Sequence, residues 1–234
     1  MRILIIGAGG VGSSAALIAA RRDFYEHIVI GDYDGDRAAA LVARIGDDRF
    51  SAIQIDASVA QAVAQACREH QITHVLNVVD PRFVMSIFEG AFLAGADYLD
   101  TAMSLSSAHP EKPHELTGVK LGDDQFAMAD AWEAKGRLAL VGIGVEPGMV
   151  DVFARYAADH LFSEIDELGV RDASDLVVHG YEFAPSFSIW TVIEECLNPP
   201  VIWEKDKGWY TTEPFSGAEV FDFPDGIGPV ECVN

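Results

Sequence analysis

The first 21 residues contain the pattern that most constrains the fold of this chain: an apolar strand, a glycine turn and a helix. Residues 2–6 have strand length, with an apolar run at 3–6. Residues 7–12 read Gly-Ala-Gly-Gly-Val-Gly, and residues 13–21 are predicted to be helical. In that order, G-x-G-x-x-G indicates a unit that binds a dinucleotide. The alternative is a glycine-rich turn in another kind of α/β protein.

Each part of the turn has its own predicted task. Gly7 allows the tight turn after the strand, and Gly12 lets the helix pack closely on that strand. Gly9 has no side chain, so a pyrophosphate can approach the backbone there. Gly10 and Val11 lie where the exposed N–H groups of the helix start would hold phosphate, assisted by the helix dipole.

A carboxylate follows the second predicted strand. That strand, residues 27–30, leads into Asp32, twenty residues after Gly12. A dinucleotide-binding unit needs a carboxylate there to accept hydrogen bonds from the adenosine ribose. Asp34 and Asp36 add negative charge that would repel a 2′-phosphate, so we expect the cofactor to be NAD, with NADP disfavoured.

Apolar runs alternate with helical patterns through residues 1–150. We predict strands at 2–6, 27–30, 50–55, 73–79, 98–101 and 138–143, and helices at 13–21, 34–45, 58–70, 81–95, 123–135 and 148–160. The second helix is capped by Asp34 and stopped at Gly46, and residues 58–61 resemble a capping box. This alternation predicts an α/β fold with a doubly wound parallel sheet.

The alternation of predicted strands and helices is interrupted in two regions. Residues 103–122 have little periodicity and are predicted to be a long loop. Residues 151–234 are predicted to be a second, α+β domain for substrate binding or dimerisation, which we expect to be truncated because the chain ends as a strand begins. Its predicted elements are strands at 165–170 and 176–183, a helix at 188–197 and a hairpin at 201–211.

Aromatic residues are concentrated in this second domain. The cluster consists of Tyr181, Phe183, Phe187, Trp190, Trp203, Trp209 and Tyr210. Such a cluster is typical of a core or a dimer interface, and we expect a homodimer.

Polar residues and glycines follow the predicted strands, and ligands of open parallel sheets bind at those carboxyl ends. The alternative for each of these residues is an ordinary structural role in a turn or a helix cap. We predict that Asp56 and Ala57 flank the adenine, that Asn77, Val78 and Val79 lie by the pyrophosphate and nicotinamide ribose, and that Asp100, Thr101, Glu146, Pro147 and Gly148 lie near the nicotinamide ring.

Composition excludes several classes of protein. The 234 residues include 16 Lys and Arg against 37 Asp and Glu, a net charge of −21 that would repel nucleic-acid phosphate and favour a cationic or zwitterionic substrate. A role of this charge in solubility is the alternative. No apolar run has transmembrane length, so we expect no membrane contact. The three cysteines are scattered, which predicts neither a disulfide framework nor a metal site and fits the cytoplasm.

Four features of the sequence together resemble the saccharopine dehydrogenase-like family. They are the glycine turn, Asn77 at a strand end, residues 96–101 (Ala-Asp-Tyr-Leu-Asp-Thr) and residues 144–149 (Gly-Val-Glu-Pro-Gly-Met). The resemblance implies NAD(P)-linked oxidation or reduction at a carbon–nitrogen bond of an amino acid or polyamine-like amine. Asp80, just before Pro81, departs from the family's usual uncharged residue, and the chain is shorter than typical members.

Such a reaction needs a general base, because the amine nitrogen must be unprotonated when hydride leaves. Asp100 and Glu146 are the carboxylates that the topology places best, in a predicted cleft between the two domains. Either could instead bind the substrate ammonium or brace its loop.

Two other functions compete with this one. An adenylating protein of the ubiquitin-activating type can share the glycine turn, but it needs an Asn-Arg-Gln segment after the second strand and often has paired C-x-x-C ligands, which this sequence lacks. A non-catalytic NAD-binding sensor or scaffold would keep the glycine turn and lack a working substrate pocket.

Overall fold

The computed structural model of the chain describes residues 1–173, 177–182, 184 and 188–234. Its internal contacts define two compact units. The first comprises Met1–Leu105 and Gly122–Asp151, and the second Ser106–Leu121 and Val152–Asn234. We predicted domains at 1–150 and 151–234, and the structure differs by grouping the long loop with the second unit.

The first unit is built on a parallel sheet of six strands. They are β1 (Arg2–Ile6), β2 (His27–Asp32), β3 (Phe50–Gln54), β4 (His74–Asn77), β5 (Asp97–Asp100) and β6 (Ala139–Leu140). Their order across the sheet is β3-β2-β1-β4-β5-β6, and every neighbouring pair is parallel. The predicted doubly wound α/β fold is therefore confirmed, with the strand order reversing between β1 and β4, where such sheets bind ligands.

Helices follow these strands along the chain, and residues 152–160 of the last one belong to the second unit. The helices are α1 (Gly10–Ala19), α2 (Gly35–Ile45), α3 (Ala60–Glu69), a 3₁₀ turn (Pro81–Phe83), α4 (Val84–Ala94), α5 (Asp123–Phe126), α6 (Ala129–Ala134) and α7 (Met149–His160). The predicted helix at 123–135 is thus divided into α5 and α6, because Met128 has non-helical torsions (φ −96°, ψ 4°). Over the described ranges, no helix is both long enough and apolar enough to cross a membrane.

The predicted ends of α2 agree with the structure, whereas the predicted start of α3 does not. The predicted caps of α2 are confirmed: Asp34 accepts hydrogen bonds from the amides of Asp36 and Arg37, and Gly46 ends the helix at φ 66°. The predicted capping box before α3 is wrong. The N-cap residue is Val59, with no side-chain cap, so Ser58 lies one residue before the cap position, and its Oγ donates to Asp56 Oδ1 at 2.6 Å.

The core lies on both faces of the sheet. On one face, the Phe88 ring packs 5.0 Å from that of Tyr98 and 4.9 Å from that of Trp132, measured between centroids. On the other face, Tyr25 and Phe50 pack edge to face at 5.9 Å. These buried aromatic residues join apolar strand residues in two hydrophobic clusters that cover the sheet.

The described part of the second unit contains most of α7, a further helix and two hairpins. The further helix and the hairpin strands are α8 (Ile189–Leu197), β7 (Val201–Glu204), β8 (Gly208–Thr211), β9 (Glu219–Phe223) and β10 (Gly228–Cys232). The predicted helix and first hairpin are confirmed, whereas the β9–β10 hairpin was not predicted. The long loop at 103–122 is confirmed, with an isolated bridge between Ser107 and Val119.

Two predicted features of the second unit differ from the structure. Residues 165–170 form no strand, and Leu168 is 59% exposed, so these residues lack the pairing and burial that a strand needs. Of the predicted strand at 176–183, both end residues lie outside the described part, and residues 177–182 are not a strand.

The aromatic residues of the second unit are not core residues where the structure describes them. Trp203 is 58% exposed and Trp209 is 54% exposed. Phe183 and Phe187 lie outside the described residues.

Shortening a core residue of β1 should destabilise the fold. Leu4 is 0% exposed at the centre of the sheet, whereas Leu93 on α4 is 47% exposed. We expect Leu4→Ala to lower the free energy of unfolding by about 2–5 kcal/mol, from lost burial and the cavity left behind. Urea denaturation measures this, with Leu93→Ala as the matched control; equal losses in the two variants would contradict the described core.

Candidate dinucleotide site

Two glycines of the turn are fixed by packing. Gly7 has φ +111°, and a Cβ there would lie 2.8 Å from Val79 Cγ1 and 2.9 Å from the Val78 carbonyl oxygen. A Cβ on Gly12 would overlap the Gly7 carbonyl oxygen. Neither position has room for a side chain, so α1 approaches β1 as closely as the sequence predicted.

The other two glycines face open space. A Cβ built on Gly9 or Gly10 meets no atom within 4 Å, and both residues, with Val11, are exposed. The helix α1 begins at Gly10, and its first amides have no acceptor within the helix. The turn is therefore an open cradle of N–H groups at the positive end of a helix dipole, which fits a pyrophosphate.

Asp32 ties this cradle to the neighbouring strand. Its Oδ2 accepts a hydrogen bond from the Ala8 amide at 2.8 Å, and its Oδ1 accepts one from the Asp34 amide at 2.9 Å. A carboxylate has about four acceptor sites, so each oxygen keeps room for one more donor. The Asp32 carboxylate is thus held at the edge of the cradle and can accept ribose hydroxyls.

At the end of β3, Asp56 and Ala57 lie next in the sheet. Asp56 is exposed and accepts hydrogen bonds from the hydroxyl and amide of Ser58, which lower the pKa of the Asp56 carboxyl. The Ala57 carbonyl accepts from Ser86 Oγ at 2.6 Å. Their contact with adenine stays a prediction.

On the other side of the switch point, Asn77 shapes the end of β4. It is 2% exposed; its Nδ2 donates to the Tyr98 hydroxyl at 2.9 Å, and its Oδ1 accepts from the Val79 amide at 3.2 Å. The Val78 amide donates to the Ile6 carbonyl at 3.0 Å. Asn77 therefore acts on this edge of the cradle through the backbone of Val78 and Val79, which borders Gly7.

Asp100 ends β5 as a completely buried carboxylate. It is 0% exposed. Its Oδ1 accepts from the amides of Gly142 (2.7 Å) and Met103 (3.2 Å), and its Oδ2 accepts from Gln125 Nε2 (2.7 Å). These contacts support the bracing of loops, one of the three roles that the sequence left open for Asp100. Its catalytic role stays a prediction.

Glu146, the other candidate base, lies in an exposed position on the turn after β6. Its peptide bond to Pro147 is cis. The next residue, Gly148, has φ +134°, and its amide donates to Asp151 Oδ2 at 2.9 Å, at the start of α7. Glu146 therefore lies on a hydrogen-bonded turn at the carboxyl end of the sheet.

The turn and the loop after β5 pack against each other. A Cβ on Gly144 would lie 2.7 Å from the Thr101 carbonyl oxygen, and one on Gly148 would lie 2.7 Å from the Gly142 carbonyl oxygen. The first contact joins the turn to Thr101, and the second lies within the turn itself. Contact of Thr101, Pro147 and Gly148 with substrate stays a prediction.

Gln125 and Tyr98 belong to this region but were not among the predicted site residues. Gln125, on α5, is 3% exposed and accepts from the Ser104 amide at 2.8 Å. Burial raises the pKa of the Tyr98 phenol, and the nearby Asp100 charge raises it further. No sequence signal marks Gln125, because 25 residues separate it from the carboxylate that it contacts.

Comparison with known proteins agrees with this geometry. The model of the saccharopine dehydrogenase NADP-binding domain matches residues 3–140. The chain therefore belongs to the saccharopine dehydrogenase family, which confirms the resemblance drawn from its motifs.

Individual relatives are similar along nearly all of the chain. A carboxynorspermidine synthase of Vibrio alginolyticus is 32% identical, over 96% of this chain and 55% of that protein. A carboxyaminopropylagmatine dehydrogenase of Synechocystis is 27% identical, over 95% of this chain and 54% of that protein. The chain thus spans about half the length of the curated relatives that it matches.

A solved structure has the same fold. Saccharopine dehydrogenase (L-Glu forming) from Saccharomyces cerevisiae matches 99% of this chain and 49% of its own, with a TM-score of 0.66 and 17% identity. At that identity, the similarity establishes the fold alone.

Two glycine substitutions should separate cofactor binding from folding. Gly9→Val places a side chain in open space, so we expect the fold to persist and dinucleotide binding to be abolished, because the side chain blocks the pyrophosphate. Gly12→Val collides with the Gly7 carbonyl and should destabilise the fold itself. Calorimetric titration with NAD and thermal unfolding measure both effects; unchanged NAD affinity in Gly9→Val would show that this turn does not hold the phosphates.

Proposed function

We propose that this protein is an NAD-dependent oxidoreductase that acts at the carbon–nitrogen bond of an amino acid or a polyamine-like amine. The observation that carries the proposal is the open cradle at Gly9 and Gly10, bordered by the Asp32 carboxylate. Membership of a dehydrogenase family supports the reaction class.

The choice of NAD rests on charge. The family model is named for NADP, but a 2′-phosphate would approach the ribose beside Asp32 and meet a carboxylate that two backbone amides hold in place. Asp34 and Asp36 follow at the start of α2, and Arg37 is exposed on that helix. Three carboxylates so close together disfavour a 2′-phosphate more than one exposed arginine favours it.

The reaction needs one proton acceptor from the chain. NAD bound in the cradle would take a hydride from the carbon that bears the amine, leaving a carbon–nitrogen double bond that water hydrolyses. Glu146 is the carboxylate that we propose to take the proton from the amine nitrogen, because it is exposed on the turn that follows β6. Thr101, Pro147 and Gly148 are proposed to contact the substrate from the two packed loops.

The substrate class is supported by charge and by the relatives. The relatives' names refer to carboxynorspermidine and to carboxyaminopropylagmatine. The net charge of −21 favours an amine, which is cationic at neutral pH. We therefore propose a small amino acid or polyamine-like amine as substrate; the homodimer stays a prediction, which light scattering in solution would test.

The family assignment sets aside the adenylating alternative. Non-catalytic binding of NAD is the other function compatible with the cradle. Turnover separates the two: NAD reduction in the presence of an amine supports the enzyme, whereas tight NAD binding without turnover of any amine supports the sensor.

Removing the carboxylate of Asp32 should weaken NAD binding. Asp32→Ala loses hydrogen bonds between a charged group and the ribose, for which we expect a loss of about 1.5–3 kcal/mol. It should also reduce the preference for NAD over NADP, because the repulsion of the 2′-phosphate is lost. Calorimetry with both dinucleotides measures this, with the exposed Asp48→Ala as a control of equal charge; tighter binding of NADP than NAD by the unmodified protein would refute the cofactor choice.

Replacing Glu146 by glutamine should slow the reaction and spare the cofactor. We expect Glu146→Gln to lower kcat by about 10²–10⁴-fold, the usual contribution of a general base, with NAD affinity unchanged. The assay follows nicotinamide absorbance with a panel of diamino acids and polyamines, and Glu89→Gln, also exposed, is the matched control. Wild-type kcat in Glu146→Gln would remove Glu146 from the mechanism.

A further inference from the structure

A chain of buried polar side chains lies beneath the carboxyl ends of β4 and β5. We refer to Asn77, Tyr98, Asp100 and Gln125 as the Asp100 network. All four are nearly or completely buried, with exposures of 2%, 0%, 0% and 3%. Burying so many polar groups costs free energy unless each has a hydrogen-bond partner. We therefore expect these side chains to have a role besides packing.

Gln125 makes two hydrogen bonds that require a side chain with both a donor and an acceptor. Its Nε2 donates to Asp100 Oδ2 at 2.7 Å, while its Oε1 accepts from the Ser104 amide at 2.8 Å. The side chain must therefore donate at one end and accept at the other. An amide does both without carrying charge, and an apolar side chain would leave a buried carboxylate oxygen and a buried amide without these partners.

The two contacts fix the loops on which the proposed substrate residues lie. The Ser104 contact holds the loop after β5, which begins at Thr101. Through Asp100, Gln125 also acts on the turn after β6, because Asp100 Oδ1 accepts from the Gly142 amide at 2.7 Å. A second bond reinforces this link, from the Ile143 amide to the Asp100 carbonyl at 2.8 Å.

We propose that Gln125 is a positioning residue for the reaction: through Asp100 it sets the relative position of the Thr101 loop and the Glu146 turn. This inference rests on the proposed function, since it assigns to those two loops the substrate and the proton acceptor. Gln125 does not touch the glycine cradle, so it should influence the rate of hydride transfer and leave cofactor affinity unchanged.

The substitution Gln125→Glu should make the hydrogen bond between this side chain and Asp100 depend on pH. The new carboxyl group would take the place of the amide beside Asp100, and two carboxylates so close together raise one pKa strongly, since they cannot easily both be ionised. When protonated, the introduced carboxyl group can donate to Asp100 and accept from the Ser104 amide, as the amide side chain does. When it is ionised, the donor is lost and the two groups repel each other.

The test compares turnover across pH. We expect kcat of Gln125→Glu, divided by that of the wild type, to be near one at acid pH and to fall by about 10–100-fold as pH rises, as for a misplaced reacting group. The affinity for NAD should match the wild type throughout. Ala127→Glu, which adds the same charge at an exposed position just after α5, should show a ratio independent of pH.

A ratio independent of pH in Gln125→Glu, or a parallel loss of NAD affinity, would overturn the proposal. Gln125→Asn provides a second route if the first variant does not fold, because it keeps the amide but is one methylene too short for both contacts. It should lower kcat at every pH, and wild-type turnover in Gln125→Asn would equally overturn the proposal.

A further measurement separates this inference from the proposed function. If no amine supports NAD reduction by the wild type, the proposed function fails, and with it the rate effect. Hydrogen exchange still reports the network: relative to intrinsic rates, peptides that contain Met103, Ser104 and Gly142 should exchange faster in Gln125→Glu than in Ala127→Glu at alkaline pH only. Equal exchange in the two variants would show that Gln125 does not fix these loops.

Discussion

The close approach of α1 to β1 is the constraint on which the rest of the site depends. Gly12 lies so near the Gly7 carbonyl that no side chain fits between them. This contact brings the start of a helix, with its unpaired amides, directly to the end of the central strand. The Asp32 carboxylate then anchors the turn through the Ala8 amide, so three separate elements share one rigid corner.

The site has two halves, on either side of the point where the strand order reverses. The half formed by β1, β2 and β3 supplies the glycine cradle, Asp32 and Asp56, which suits the phosphates and the adenosine end of a dinucleotide. The half formed by β4, β5 and β6 supplies loops instead, held from below by the Asp100 network. The first half is open and the second half is braced by hydrogen bonds. This is expected if the first half binds the dinucleotide and the second half positions the reacting groups.

Sequence reasoning succeeded where the physical cause is local. The glycine turn, the Asp34 and Gly46 caps of α2 and the alternation of six strands with helices all depend on neighbouring residues, and the structure agrees with them. It was less informative where a distant partner decides. Asp100 ends a strand as predicted, but no local signal shows that Gln125 and Gly142 contact its carboxylate from 25 and 42 residues away.

Two predicted local features were wrong. Ser58 matches a capping box, but α3 begins at Ala60 with Val59 as its cap residue, and the Ser58 hydroxyl donates to Asp56 instead. Residues 165–170 have the composition of a strand but no partner strand among the described residues. A single sequence shows which residues can form an element, whereas pairing across the chain decides which of them do.

We propose that the glycine turn and Asp32 hold NAD at the carboxyl edge of the sheet. A crystal structure of this chain with bound NAD would show whether they do. We expect the pyrophosphate on the amides at the start of α1, over Gly9 and Gly10, with the adenosine ribose hydroxyls on Asp32. A dinucleotide bound elsewhere on the first unit, or a ribose directed away from Asp32, would contradict it.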